Sequence, residues 1–319
     1  MNLPKQLIAR IEKIYNDTAT NILDGFWVER IGSLRINTLQ FPDLKDHEIP
    51  SILAEEFSAK NIVLTPFKDI PHVFTFEKEN EYALKGTRAF YDGFIYLQWI
   101  SSMLPVVYLS PVKNTKILDV CAAPGSKTTQ IAAMIQNHGT ILALEQNQIR
   151  HDKLIHNIQL QGAGCIQVIK TDANKYLSTY SNEFDSILLD APCSAEGRIH
   201  LENEKTFWFW NLKNIQEKSE LQKQLLRNAY KQLKKWGILI YSTCTLAPEE
   251  NEWVITDLLN NNPNATLIAI DPLPSINTSA GVTEFQDKTF HPECTKTLRI
   301  HPNKLTEGFF IAKIQKNHS

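Results

Sequence analysis

The chain has 319 residues, 43% hydrophobic and 21% charged, with a formal net charge of −2 and five cysteines. That balance is expected of a globular protein able to bury a full core, in one large domain or two modest ones. Three classes drop out. Met1 to Arg10 holds Pro4, Lys5 and Arg10 in place of an apolar signal core. The most apolar span, 90–109, is broken by Asp92, Gln98 and Pro105 and does not suit a membrane helix. Five scattered cysteines make no disulfide frame and read as reduced thiols of a cytoplasmic protein. The slight acidity counts against a broadly basic nucleic-acid surface, but phosphate contacts need only local clusters.

In chain order, residues 1 to about 85 read as a separate small α/β unit. Leu3 to Ile14 has helical periodicity. Ser33 to Leu39 alternates apolar and polar, predicting a strand with one wet face on which Arg35 and Asn37 would be solvated. Ile49 to Phe57 reads as a helix and Pro71 to Phe76 as a strand. Phe94 to Gln98, followed by Ser101 to Pro105, reads as a linker helix that packs on a sheet, its polar members either serving that packing or shaping a cofactor pocket. From Lys116 onward strands and helices alternate, which predicts a parallel sheet with right-handed crossovers. Its strands are expected at Ile117–Val120, Thr140–Leu144, Ile166–Ile169, Phe184–Leu189 and Ile238–Tyr241. Ile149 to Leu160 and Ile215 to Lys235 are the principal helices, the second expected to stop near Gly237. Pro248 to Asn260 is a further helix, and Thr266–Ile270 and Phe309–Ile314 are the last strands.

The most informative stretch is Cys121-Ala122-Ala123-Pro124-Gly125-Ser126-Lys127-Thr128. It follows the first core strand. Ala122 and Ala123 let a ligand approach the backbone, Gly125 can take positive φ, and Ser126 is placed to cap the next helix. Strand, small-residue turn and helix is how doubly wound sheets hold nucleotide-like cofactors, although an ordinary βα corner has the same chemistry. The stretch lacks the Gly-x-Gly-x-x-Gly of dinucleotide sites and the upstream glycine of a P-loop. It resembles, nearly letter for letter, the cofactor motif of RNA 5-methylcytosine methyltransferases, the Sun/Fmu and NSUN family. The resemblance spans roughly residues 30–315. It implies a class I methyltransferase, with a Rossmann-like doubly wound α/β sheet (86–319) behind a small N-terminal α/β domain (1–85) that helps to hold RNA. It also implies that the loop 121–127 holds the methionine part of S-adenosylmethionine.

Carboxylates follow three successive strands: Glu145, Asp172 and Asp190. In a parallel sheet those ends share one edge. Single aspartates there are usually caps; three in succession favour a ligand. Glu145 suits the ribose hydroxyls. By resemblance to class I methyltransferases, Asp172 reaches the adenine, and Arg150 packs along the cofactor. Two cysteines share the same edge, Cys193 in Asp190-Ala191-Pro192-Cys193 and Cys244 in Thr243-Cys244. Cys165, Cys294 and Cys121 suit a packing role. A thiolate at cytosine carbon 6 turns carbon 5 into a nucleophile, and an acid at the ring nitrogen, here Asp190, offsets the charge. Spacing does not decide which cysteine attacks. The resemblance assigns attack to Cys244, product release to Cys193, and Lys127 to the target base or Asp190; a solvated lysine at a helix start is the alternative.

An amino-group methyltransferase would carry Asn/Asp-Pro-Pro-Tyr/Phe where this chain has Asp-Ala-Pro-Cys. The rival from another class is a catalytically idle RNA-binding assembly factor. Lysines and arginines from Lys205 to Lys235, with Phe207 to Trp210 ahead of them, suit either RNA stacking or a solvated helix beside core aromatics. Leu298 to Pro302 and Glu307 to Ala312 resemble the family's closing motif. The expected partner is RNA, tRNA or rRNA, with no metal, no membrane and no DNA, and the chain is expected to be a monomer.

Overall fold

The computed structural model describes residues 3–179 and 183–318. The chain opens with helices α1 (Lys5–Tyr15) and α2 (Ala19–Asp24). Next come β1 (Gly32–Ile36), α3 (Ser51–Ala59), β2 (Thr65–Pro66), β3 (Val73–Phe76), α4 (Asn80–Lys85), α5 (Arg88–Tyr91) and β4 (Ile95–Leu97). These four strands form one antiparallel sheet in the order β2-β3-β1-β4. Its core is Leu34, Ile36, Phe57, Phe74, Phe76 and Ile95.

The chain continues with α6 (Ile100–Leu109), β5 (Thr115–Asp119), α7 (Ser126–Met134), β6 (Gly139–Glu145), α8 (Gln148–Gln161), β7 (Ile166–Lys170), α9 (Ala173–Leu177), β8 (Phe184–Asp190), α10 (Leu212–Gln232) and β9 (Leu233–Thr243). It closes with α11 (Glu252–Asn261), β10 (Ala265–Ile268), β11 (Thr278–Ala280), the hairpin β12 (Glu284–Phe285) and β13 (Lys288–Thr289), β14 (Leu298–Ile300) and β15 (Phe309–Lys316). The large sheet runs β11-β14-β15-β9-β8-β5-β6-β7, with β10 paired to β15. Strands β5 to β9 pair in parallel, and β15 turns the sheet antiparallel beside β9. Strand β5 has β6 on one side and β8 on the other, so the winding reverses at its carboxyl end. That reversal opens a crevice where ligands bind in doubly wound sheets.

Period-two alternation explains the layering. Leu118, Val120, Ile187, Leu189 and Tyr241 face one core with α1, α10 and α11. Ile117, Ile141, Leu188 and Ile240 face the other with α6 and α7.

Several elements differ from the sequence expectation. Strand β1 has no wet face, because all five residues are buried. Arg35 and Asn37 are turned inward: Asn37 Nδ2 donates to the carbonyls of Gly93 and Gln161 at 2.9 Å each. Residues 95–97 are a strand and not a helix, since they pair with β1; the helix starts at Ile100. Helix α10 ends at Gln232, and Phe184 pairs with Leu233 while Ser186 pairs with Ile238, so 234–237 form a bulge within β9. Ser126 makes no cap bond; Gly125, at φ 106°, occupies the cap position and Ser126 is the first helical residue.

Candidate active site

Most of the functional side chains sit at or just beyond the carboxyl end of a parallel strand, while Lys127 and Arg150 come from the first turns of α7 and α8. After β5, the turn 121–125 carries Ala122 and Ala123, both nearly buried, and Pro124 follows a cis bond. Asp119 closes β5 and is buried. Thr128 Oγ1 donates to its Oδ2 at 2.7 Å, while its Oδ1 is buried without a partner. Burial pushes the Asp119 carboxyl up to about 7, against the Thr128 hydrogen bond. Burial, Asp119 and Asp190 also raise the Cys121 thiol, which suits a packed, unreactive cysteine.

Glu145 ends β6 and is nearly buried; its Oε1 accepts from Asn147 N at 2.8 Å. Arg150 NH1 lies 3.5 Å from Glu145 Oε2, and Arg150 NH2 donates to the Ala123 carbonyl at 2.7 Å. Arg150 therefore clasps the small-residue loop to the acidic strand end. Asp172 follows β7 and caps α9, accepting from Lys175 N at 3.0 Å through Oδ1. Capping is thus part of its role, while its residue still lines the cleft. The three strand-end carboxylates share that cleft with Cys121, Ala123 and Arg150. It joins a second hollow lined by Ser126, Lys127, Trp99, Glu307 and Phe309. Cys244 and Asp190 border both.

At that junction Cys193 Sγ and Cys244 Sγ are 3.3 Å apart, and both cysteines are half-buried. The hydrogen bond to Cys244, then burial, hold the Cys193 thiol well above its ordinary value. Either sulfur can be the donor in that contact. Lys127 is not solvated. It is 8% exposed, and its Nζ lies 2.8 Å from Asp190 Oδ2 and 2.8 Å from Ser102 Oγ. Asp190 Oδ1 accepts from Ser242 Oγ at 2.8 Å. Arg198 reaches the same junction beside Glu307, at 3.4 Å. No group of metal-ligating side chains occurs among the described residues.

The unpartnered Asp119 Oδ1 beside the Ala122–Ala123 hollow fits the ammonium of a methionine-like ligand, and Glu145 and Asp172 fit a ribose and a base further along. The sequence profile of the 16S rRNA methyltransferase RsmB/F family matches residues 106–315. The chain belongs to this family. By class it is an S-adenosylmethionine-dependent RNA (cytosine-5)-methyltransferase, and the doubly wound sheet is the class I fold. A tRNA (cytosine(49)-C(5))-methyltransferase of Pyrococcus abyssi is 41% identical over 316 residues, which is 98% of this chain and 96% of that protein. Ribosomal RNA small subunit methyltransferase F of Aeromonas salmonicida is 37% identical over 74% of this chain but 48% of its own length. A methyltransferase homolog protein from Pyrococcus horikoshii has a TM-score of 0.82 at 28% identity, covering 99% of this chain and 96% of that one.

Sequence reasoning passed over Asp119 and Arg198 as site residues and left Gln98 and Ser102 between packing and a cofactor pocket. For Asp119 a signal was present, since it ends β5 as Glu145 and Asp190 end β6 and β8. For the others only the fold brings them together. The basic run 205–235 is partly paired within the chain. Lys223 pairs with Glu220, Arg227 with Asp257 and Lys234 with Asp185. Phe207 is buried, and Trp210 Nε1 donates to the buried Glu196 at 2.7 Å, whereas Trp208 is exposed.

Proposed function

We propose that this RsmB/F-family chain methylates carbon 5 of a cytosine in tRNA through a covalent bond between Cys244 and carbon 6 of the base. The observation that carries the reading is the meeting of Cys193 and Cys244, 3.3 Å apart, at the same cleft as the Lys127–Asp190 pair. The tRNA assignment rests on likeness: the Pyrococcus abyssi tRNA enzyme is 41% identical over 98% of this chain, against 37% over 74% for the ribosomal RNA methyltransferase of Aeromonas salmonicida. The N-terminal sheet, which abuts the cleft through Tyr96 to Trp99, is the natural support for the RNA.

The chain's residues account for the chemistry. The Cys244 sulfur, as thiolate, adds to carbon 6, and the electron pair of the carbon 5–carbon 6 double bond moves toward the ring nitrogen. At that nitrogen the Lys127–Asp190 pair supplies the hydrogen bond, its proton coming from the Lys127 ammonium, and offsets the charge. S-adenosylmethionine, which residues 121–127, Glu145, Arg150, Asp172 and Asp190 would hold, would supply an electrophilic methyl group to carbon 5 and be left as S-adenosylhomocysteine. A base then takes the hydrogen from carbon 5, the double bond re-forms, and the Cys244 sulfur leaves. Cys193, a thiol in contact with that sulfur, is placed to assist its departure.

Cys244→Ala is expected to lose turnover in a methyl-transfer assay on tRNA and to form no adduct. Cys193→Ala is expected to accumulate a protein–RNA adduct that survives denaturing electrophoresis. The adduct in the Cys244 variant and not the Cys193 variant reverses the assignment. Wild-type protein without methyl transfer to any RNA would favour the idle assembly factor. Bisulfite mapping of RNA from cells lacking the gene identifies the target.

A further inference from the structure

One polar chain bordering the cleft has no part in the chemistry above. It starts on the N-terminal sheet. Arg35 is buried on β1, its guanidinium 4.8 Å from the Tyr96 ring. Its Nε donates to Gln98 Oε1 at 3.0 Å, and its NH2 donates to Thr129 Oγ1 at 2.6 Å and to the Ser126 carbonyl at 3.3 Å. Gln98, also buried, donates through Nε2 to the Ser102 carbonyl at 3.2 Å and to Gln130 Oε1 at 3.0 Å. Ser102, in the first turn of α6, then accepts from Lys127 Nζ at 2.8 Å, and that nitrogen lies 2.8 Å from Asp190 Oδ2. Each link joins groups from different elements: β1 to the end of β4, then α6, then α7, then β8.

We propose that Ser102 is a positioning residue for Lys127, held in place by Arg35 and Gln98. The inference rests on the reading that the Lys127–Asp190 pair serves the target cytosine. A lysine ammonium is a compact charge on a flexible four-carbon stem. Asp190 alone fixes its distance to one oxygen and leaves its direction free. A second acceptor on the opposite element fixes direction as well. Of the three ammonium protons, Asp190 and Ser102 take two, which leaves one for a base entering past Phe309, whose ring centre is 5.7 Å from Nζ. The amide of Gln98 is locked by partners on both sides, so it cannot flip and release the first turn of α6. Through this chain the N-terminal sheet sets the orientation of a group at the reacting centre.

The test is steady-state kinetics of the full chain on a tRNA transcript with Ser102→Ala, Ser102→Thr, and Lys127→Ala as reference. Removing one positioning contact is expected to lower kcat about tenfold in Ser102→Ala, with KM for both substrates within about twofold. Ser102→Thr, which keeps the hydroxyl, is expected to recover most of the rate. The pH dependence of kcat is expected to shift in Ser102→Ala and not in Ser102→Thr. Wild-type kcat in Ser102→Ala with an impaired Lys127→Ala overturns the positioning role and leaves the function standing. Equal losses in Ser102→Ala and Ser102→Thr mark Ser102 as packing and overturn it too. Wild-type kcat in Lys127→Ala overturns both the positioning role and the reading beneath it.

Discussion

Asp119 illustrates how much of the site is set by burial. The residue is about 1% exposed, and the Thr128 hydroxyl and the Cys121 backbone N–H only partly replace water at its carboxyl, so the charged form lacks the solvation that water would give. Its pKa therefore lies near 7 in the folded chain, against 3.8 as the ordinary value. Between those values the folded state binds more protons than the unfolded one. Stability contributed by the protonated group is thus full at low pH and is lost as pH rises toward 7. Asp119→Asn removes this titration. Thermal melts from pH 4.5 to 7.5 are expected to show the wild type losing ground to the variant as pH rises; parallel curves would contradict the assignment. The same scale shows where sequence reading stops. The identities of Cys193, Cys244, Asp190 and Lys127 were legible in short motifs. The inward turn of Arg35 and Asn37 was not, because alternation along β1 records polarity and not the partners that Gln98, Gln161 and Gly93 supply from distant elements.

At the scale of elements, the inner parallel strands β5, β6, β8 and β9 were legible from their apolar runs because they are largely buried on both faces. The strand at 95–97 was not, since a short apolar segment fits helix or strand until its pairing partner is known. Two loops that the sequence marks only weakly now bear on the catalytic geometry. Gly197 N donates to the Cys244 carbonyl at 2.9 Å, and Gly308 N donates to the Gly197 carbonyl at 2.9 Å. The loops after β8 and before β15 thus clamp the segment carrying Cys244. A Cβ on Gly197 would lie 1.9 Å from the Gly308 carbonyl oxygen, which is backbone and cannot swing aside. Gly197→Ala is expected to cost about 1–3 kcal/mol, as overpacking does, and to reduce kcat by displacing Cys244. Gly164, around which an added Cβ meets nothing within 4 Å, is the control. Gly164→Ala is expected to change stability by less than about 0.5 kcal/mol. Melting temperatures and single-turnover rates of the pair provide the measurement.

For the whole molecule, the two-part division expected near residue 85 meets a different physical organisation. Strand β4 lies beyond that point yet closes the N-terminal sheet. Helices α1 and α2 lie before it yet pack into the core of the large sheet, with Leu7, Ile11, Ile22 and Phe26 at most 1% exposed. They are also tied by polar contacts. Arg10 makes a two-pronged pair with Glu249 at 2.9 and 2.6 Å. The Tyr15 hydroxyl accepts from Arg299 NH1 at 3.1 Å, and Arg299 is buried against Glu252 at 2.6 Å. Deleting residues 1–85 would therefore open the catalytic core instead of detaching an accessory domain. Truncating one large core side chain costs about 2–5 kcal/mol, so losing four, along with the part-buried Arg10–Glu249 pair, is comparable to or larger than the ~5–15 kcal/mol that holds a typical domain together. The fragment 86–319 is expected to be insoluble or unfolded by circular dichroism. Leu7→Ala with Ile11→Ala in the full chain is expected to lower the melting temperature sharply while the cleft residues stay unchanged. A folded, cooperatively melting 86–319 fragment would show that the first two helices are dispensable, and that the boundary near residue 85 is the physical one after all.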